Sequence, residues 1–133
     1  MLHMDFKYKC VMVIDDNQID LYIAEKVMEN TRFAEKVICV SSAREALAYL
    51  KPLHDKPDEL PGLIFLDINM PEMTGFDFLN EYQLLPESIR KKCIIMMLTT
   101  SLDQNDRKQA EENQFVKRFL NKPLDRDKIA QLM

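Results

Sequence analysis

LIFLDINMP, residues Leu63–Pro71, joins an unbroken apolar run to an aspartate and a proline-bearing turn. Consecutive apolar residues with no polar alternation predict a strand buried on both faces, the habit of parallel sheets. Asp67 then stands at the carboxyl end of that strand, and Pro71 marks the turn beyond it. Similar runs recur on either side: CVMVI (Cys10–Ile14) and VICV (Val37–Val40) before it, CIIMML (Cys93–Leu98) and VKRFL (Val116–Leu120) after it. Between them lie helix-length segments. The first carries Ile19, Ile23, Val27 and Met28 behind Asn17 as N-cap. The second opens with the capping box Ser42-Ala-Arg-Glu45, shows Ala43, Ala46, Leu47 and Leu50, and ends before Pro52. The third follows Thr74-Gly75 with Phe76, Leu79, Tyr82 and Leu85 and stops at Pro86; the fourth, Asp103–Asn113, is almost wholly polar; a fifth runs from about Asp125 to Met133. Strands alternating with helices predict an α/β domain with a doubly wound parallel sheet and helices on both faces.

At 133 residues the chain has the length of one domain, and no repeat or linker divides it, so residues 1–133 are read as a single unit. Its 47% hydrophobic and 30% charged composition suits a soluble globular protein. The net charge, 18 − 22 = −4, gives no general attraction to nucleic acid or an anionic membrane. No apolar run approaches the roughly 20 residues needed to span a bilayer. MLHMDFKYKC, at the N-terminus, is polar and mixed, neither a signal peptide nor an anchor, and residues 1–8 read as an extension before the first strand. Cys10, Cys39 and Cys93 are odd in number and lie in apolar stretches, while His3 and His54 are isolated. They read as buried structural thiols in a cytoplasmic protein, not as a disulfide framework or a zinc site.

In doubly wound sheets ligands sit beyond the carboxyl ends of the strands. Here those ends are Asp15-Asp16-Asn17, Asp67, Thr99-Thr100-Ser101 and Asn121-Lys122-Pro123; the second strand ends only in Ser41-Ser42. If the strand order is 2-1-3-4-5, the first and third strands are neighbours, and Asp15, Asp16 and Asp67 converge. Two carboxylates about 5 Å apart repel by roughly 3 kcal/mol at an effective dielectric near 20. Three need a cation or a raised pKa to coexist, and a hard, oxygen-liking ion such as Mg²⁺ suits them. A carboxylate beside such an ion can attack phosphorus and become an aspartyl phosphate. Catalysis of that transfer is mostly positioning and charge neutralisation, which Lys122 and the Thr99 hydroxyl can share.

At these residues the chain resembles the receiver domain of two-component response regulators. The resemblance covers nearly the whole length and rests on Ile14-Asp15-Asp16, on Leu66-Asp67-Ile-Asn-Met-Pro71 with Gly75, on Leu98-Thr99 and on Lys122-Pro123, in order and at matching spacing. It implies a flavodoxin-like fold with Asp67 as phosphoacceptor. Asp16, Asp67 and the Asn69 backbone carbonyl would ligate Mg²⁺, and Asp15 would act largely through water. Thr99 and Lys122 would bind the phosphoryl group, Thr99 and Phe119 would form the switch, and the bond before Pro123 would be cis. Implied partners are a histidine kinase or histidine phosphotransfer protein upstream. Downstream, a protein would dock on the face made by the fourth helix, fifth strand and fifth helix, without direct nucleic-acid contact.

Some positions depart from the family pattern. Thr74 stands where Asp or Asn is frequent, the Lys56–Gly62 stretch is long, Phe119 lacks the hydroxyl of the commoner Tyr, and the final helix is short, as expected either of a chain that continues or of one that was trimmed. A haloacid-dehalogenase-type phosphatase would put its nucleophile on the first motif and a second aspartate two residues later; here Asn69 holds that place. A flavin carrier would need a hydroxyl- and glycine-rich phosphate loop, yet the only glycines are Gly62 and Gly75 and Asp15-Asp16 would repel the phosphate. A third alternative is a receiver-shaped interaction domain that is never phosphorylated; every residue of the pocket is present here, and beryllofluoride, which should bind only if Mg²⁺ and the pocket both work, discriminates the two.

Overall fold

The computed structural model describes residues 6–133. Five parallel strands form one sheet: β1 (Tyr8–Ile14), β2 (Ala34–Val40), β3 (Leu63–Leu66), β4 (Ile94–Thr99) and β5 (Val116–Asn121), in the order β2-β1-β3-β4-β5. The helices are α1 (Gln18–Asn30), α2 (Ala43–Leu50), α3 (Gly75–Tyr82), the single turn α4 (Glu87–Arg90), α5 (Gln104–Glu112) and α6 (Arg126–Leu132). One face of the sheet, through Met12, Ile14, Ile64, Leu66, Ile95 and Met97, packs against buried residues of α2 to α5. The other, through Val11, Val13, Leu63, Phe65, Met96 and Leu98, packs against α1 and α6. The central strand β3 is buried along its whole length, which is why its four residues alternate nothing polar.

Side-chain caps set where most helices begin. Asn17 accepts from the backbone N–H groups of Ile19 and Asp20, Asp103 from Asn105 and Asp106, and Asp125 from Lys128. Thr74 and Asp77 form a full capping box at α3, so the threonine at this place does the same turn-building. At α2 only half of the expected box exists: Ser42 Oγ accepts from Glu45 N, but the Glu45 carboxylate turns to the backbone N–H and hydroxyl of Ser41.

Several expectations need correction. β1 begins at Tyr8, inside the expected extension, while Met1 to Asp5, including His3, lie outside the described residues. β2 starts three residues early, at Ala34, because an edge strand exposes Glu35 and Lys36 and breaks the apolar run. On α1 the buried stripe is Leu21, Ala24 and Met28; Ile19 and Ile23 are exposed, at 70% and 38%. Both stripes have helical spacing, and small Ala24 hid the right one. Phe78, not Phe76, is fully buried on α3, which ends at Tyr82; Leu85 packs from the loop and α4 begins behind Pro86. Cys10 is buried and Cys93 partly so, but Cys39, on the edge strand β2, is exposed.

The loop from β3 to α3 contains one strained residue. Glu72 has φ 69°, in the left-handed region that disfavours residues with a Cβ. Glu72→Asn is expected to raise stability by about 1 kcal/mol, since Asn tolerates this conformation without the unfolded-chain entropy of glycine. Urea titration of both proteins measures it, and an unchanged or lower midpoint rejects the strain argument.

Candidate phosphoryl-transfer site

The ends of β1, β3, β4 and β5 deliver the site residues to one edge of the sheet. Asp67 N–H donates to the Ile14 carbonyl (3.0 Å) and Asp15 N–H to the Val40 carbonyl (3.1 Å), so the ladder itself fixes where both carboxylates leave the sheet. Asp15 is 2% exposed and Asp67 6%, while Asp16 is exposed at the rim. One carboxylate oxygen from each of Asp15, Asp16 and Asp67 lies within 4.8 Å of the others. That hard-oxygen donor set, open to water at Asp16, fits a divalent cation that keeps part of its hydration. Asn69 follows on the exposed turn, where its carbonyl is in the same loop as Asp67.

Lys122 answers the acidic charge. Its Nζ lies 2.6 Å from Asp15 Oδ2, 2.8 Å from Asp20 Oδ2 and 3.6 Å from Asp67 Oδ2. The Lys122–Pro123 bond is cis, and Lys122 N–H donates to the Thr99 carbonyl at 2.8 Å, tying the end of β5 to β4. Burial pushes the Asp67 carboxyl up to about 6, helped by the charge of Asp15 and opposed by Lys122. Asp15 is also raised by burial, against its bonds to Lys122 and the Asn17 N–H. Burial pulls Lys122 down, but its bonds to Asp15 and Asp20 outweigh that and hold the ammonium above its ordinary value. Three acids coexist here by both routes that electrostatics allows: a cation among them and a raised pKa.

Thr99 is fully buried at the end of β4, and its hydroxyl accepts from Ser101 N–H at 3.1 Å; Thr100 faces solvent. Phe119, paired with Met97 across the β4–β5 ladder, is half-buried with the Arg107 guanidinium 5.4 Å from its ring centroid. It belongs neither wholly to the core nor to the surface. Gly75 is required by close approach: a Cβ there would lie 2.5 Å from the Asp67 carbonyl oxygen and 3.0 Å from Ile68 Cα. Its N–H donates to the Ile68 carbonyl at 2.8 Å, seating α3 against the backbone that carries Asp67.

Asp20 is the site residue that strand-end reasoning missed. It lies in the first turn of α1, five residues after Asp15, with its carboxylate 2.8 Å from Lys122 Nζ. The Asn17 cap places Asp20 in the first turn of α1, but the side of the helix that faces Lys122 had no signal in the sequence.

Comparison with known proteins agrees with this geometry. A profile of the response regulator receiver domain matches residues 11–133. Histidine kinase 2 of Arabidopsis thaliana is 36% identical over 84 residues, 63% of this chain but only 6% of the kinase, so the chain spans a small part of that relative. A two-component response regulator from Cytophaga hutchinsonii superposes with a TM-score of 0.84, at 28% identity over 92% of each chain. The phosphorylated cyanobacterial phytochrome response regulator RcpA gives 0.73, at 25% identity over 94% of this chain and 88% of that one. Strand order, acidic edge and family profile together show that the chain belongs to the response regulator receiver domain family, the phosphoacceptor module of two-component signalling.

Proposed function

We propose that Asp67 is the phosphoacceptor and that the chain takes its phosphoryl group from a phosphohistidine on a histidine kinase or histidine phosphotransfer protein. The observation that carries this is the placement of Asp67: buried at the end of the central strand, next to Asp15 and Asp16 and 3.6 Å from the Lys122 ammonium. In the transfer an Asp67 oxygen forms the new O–P bond, the P–N bond of phosphohistidine breaks, and the imidazole nitrogen keeps the electron pair. Asp15, Asp16, Asp67 and the Asn69 carbonyl are the groups suited to hold Mg²⁺, which when bound supplies charge neutralisation to the phosphoryl oxygens. Lys122 donates to one of those oxygens, and the Thr99 hydroxyl is the donor for another. No side-chain base is needed, because the nucleophile is already ionised. Incubation with acetyl phosphate and Mg²⁺ is expected to add one phosphoryl group, with acetate leaving. Asp67→Asn is expected to add none, as read by intact mass. Full labelling of the Asn variant overturns the assignment.

Thr99 and Phe119 carry the signal outward in this reading. When the Thr99 hydroxyl leaves its place beside Ser101 for the phosphoryl group, it vacates space into which the Phe119 ring can turn from under Arg107. The trade is a charge-assisted hydrogen bond plus aromatic burial, a few kcal/mol against one cation–π contact. Thr99→Ala is expected to bind beryllofluoride yet leave the amide resonances around Phe119 and α5 nearly unshifted. Shifts equal to those of the parent reject the relay. The face of α5, β5 and α6 is then where a downstream protein reads the switch. Among the described residues no helix is long and apolar enough to cross a membrane, and we place the protein in the cytoplasm with its kinase partner's catalytic part.

A further inference from the structure

Lys122 has three N–H donors, and the structure commits them unequally. Its Nζ donates a hydrogen bond to Asp20 Oδ2 at 2.8 Å and lies 2.6 Å from Asp15 Oδ2 as an ion pair, while Asp67 at 3.6 Å is an ion-pair partner beyond hydrogen-bond reach. Asp15 is also part of the cation-ready cluster, so its oxygens have a competing use. Asp20 has none. It stands outside that cluster, its backbone N–H is held by the Asn17 side chain at 3.0 Å, and its own carboxylate is 30% exposed. A lysine side chain loses substantial rotamer freedom on being fixed.

Resting on Asp67 as acceptor, we propose that Asp20 is a positioning residue: it anchors the Lys122 ammonium from the helix side, so that the third N–H points at the phosphoryl group arriving on Asp67. Because Asp20 lies outside the cluster, its hold on Lys122 would remain with a cation bound among Asp15, Asp16 and Asp67. Asp20 thus acts on the reaction only through Lys122. A bystander carboxylate at the same place would do the opposite, since its charge repels a phosphoryl group and its removal would speed transfer.

The test is a double-mutant cycle on the initial rate of labelling by acetyl phosphate at saturating Mg²⁺, using the parent, Asp20→Ala, Lys122→Met and the double variant. Asp20→Ala is expected to slow labelling about tenfold in the parent background, the scale of one lost charge-assisted hydrogen bond. In the Lys122→Met background it is expected to change the rate by less than about twofold, because nothing is left to anchor. Asp20→Glu, which keeps the acceptor, should recover part of the loss. Unchanged or faster labelling in Asp20→Ala, or an equal slowing in both backgrounds, overturns the proposal. A second measurement does not depend on Lys122→Met being folded: the ¹⁵N-ammonium signal of Lys122, protected from exchange with water while anchored, is expected in the parent with Mg²⁺ and lost in Asp20→Ala. A signal of equal intensity in both overturns it too. Should the parent itself refuse label, the assignment of Asp67 fails; a parent that labels normally beside an indifferent Asp20→Ala condemns only the anchor.

Discussion

Replacing Lys122 by methionine is expected to cost about 3–5 kcal/mol of stability at pH 7 without divalent cations, the scale for breaking a buried ion pair from one side. The Lys122 side chain is 8% exposed, and two of its partners are as deeply placed, Asp15 at 3% and Asp67 at 7%. Removing the ammonium leaves those carboxylates facing each other and Asp16 with no protein cation between them. Asp20, at 30%, can turn to water and contributes less. Methionine fills nearly the same volume, so a cavity is not the cause. Two conditions should restore much of the loss. Mild acid lets Asp67 and Asp15 take up protons, and Mg²⁺ supplies the missing positive charge, so the cation is expected to raise the melting temperature of Lys122→Met more than that of the parent. Urea titrations at pH 5 and 7, with and without Mg²⁺, read all of this. A variant as stable as the parent in cation-free buffer at pH 7 would mean that Lys122 does not hold the acidic edge together.

The sheet and the acidic cluster at its edge were legible in sequence for one reason: a parallel strand buried on both faces writes itself as an apolar run, and the residue after the run stands at the sheet's edge. LIFL followed by Asp67, and CIIMML followed by Thr99, show both halves of that rule. Legibility fades where burial is one-sided. β2 and β5 are edge strands, and at β2 the exposed Glu35 and Lys36 concealed its first residues. On α1 two apolar stripes share the helix, and periodicity cannot say which faces the sheet; Leu21, Ala24 and Met28 are the buried ones. The same uncertainty of phase hid Asp20, whose role depends on the side of α1 it occupies. Charge balance was half legible. Asp15, Asp16 and Asp67 announced a self-repelling cluster, but how closely the Lys122 ammonium approaches it required distances.

That cluster contributes a pH dependence opposite in sign to the usual one for carboxylates. Burial and the Asp15 charge raise Asp67 to about 6, against an unfolded value near 4. Between those values the folded chain binds more protons than the unfolded one, so stability contributed by this group is full below about pH 4 and is lost as pH rises through about 6. Asp15, also raised, adds in the same direction. Two pKa units correspond to at most about 3 kcal/mol, an upper figure because water reaches the rim at Asp16. Asp125, an exposed helix cap with a lowered pKa, works the other way but weakly. The difference between Asp67→Asn and the parent isolates the pocket's effect, since the groups away from the pocket titrate alike in both. In cation-free buffer the Asn variant is expected to be the more stable at pH 7.5, by up to about 3 kcal/mol, and to lose that advantage by pH 4.5. Saturating Mg²⁺ should cancel it at high pH, because the cation binds the ionised parent and gains less from a site short of one carboxylate. Thermal melts at several pH values decide it. An Asn variant less stable than the parent at pH 7.5 without Mg²⁺ would show that the Asp67 charge is a stabilising partner of Lys122 and not the strained group at the centre of the pocket.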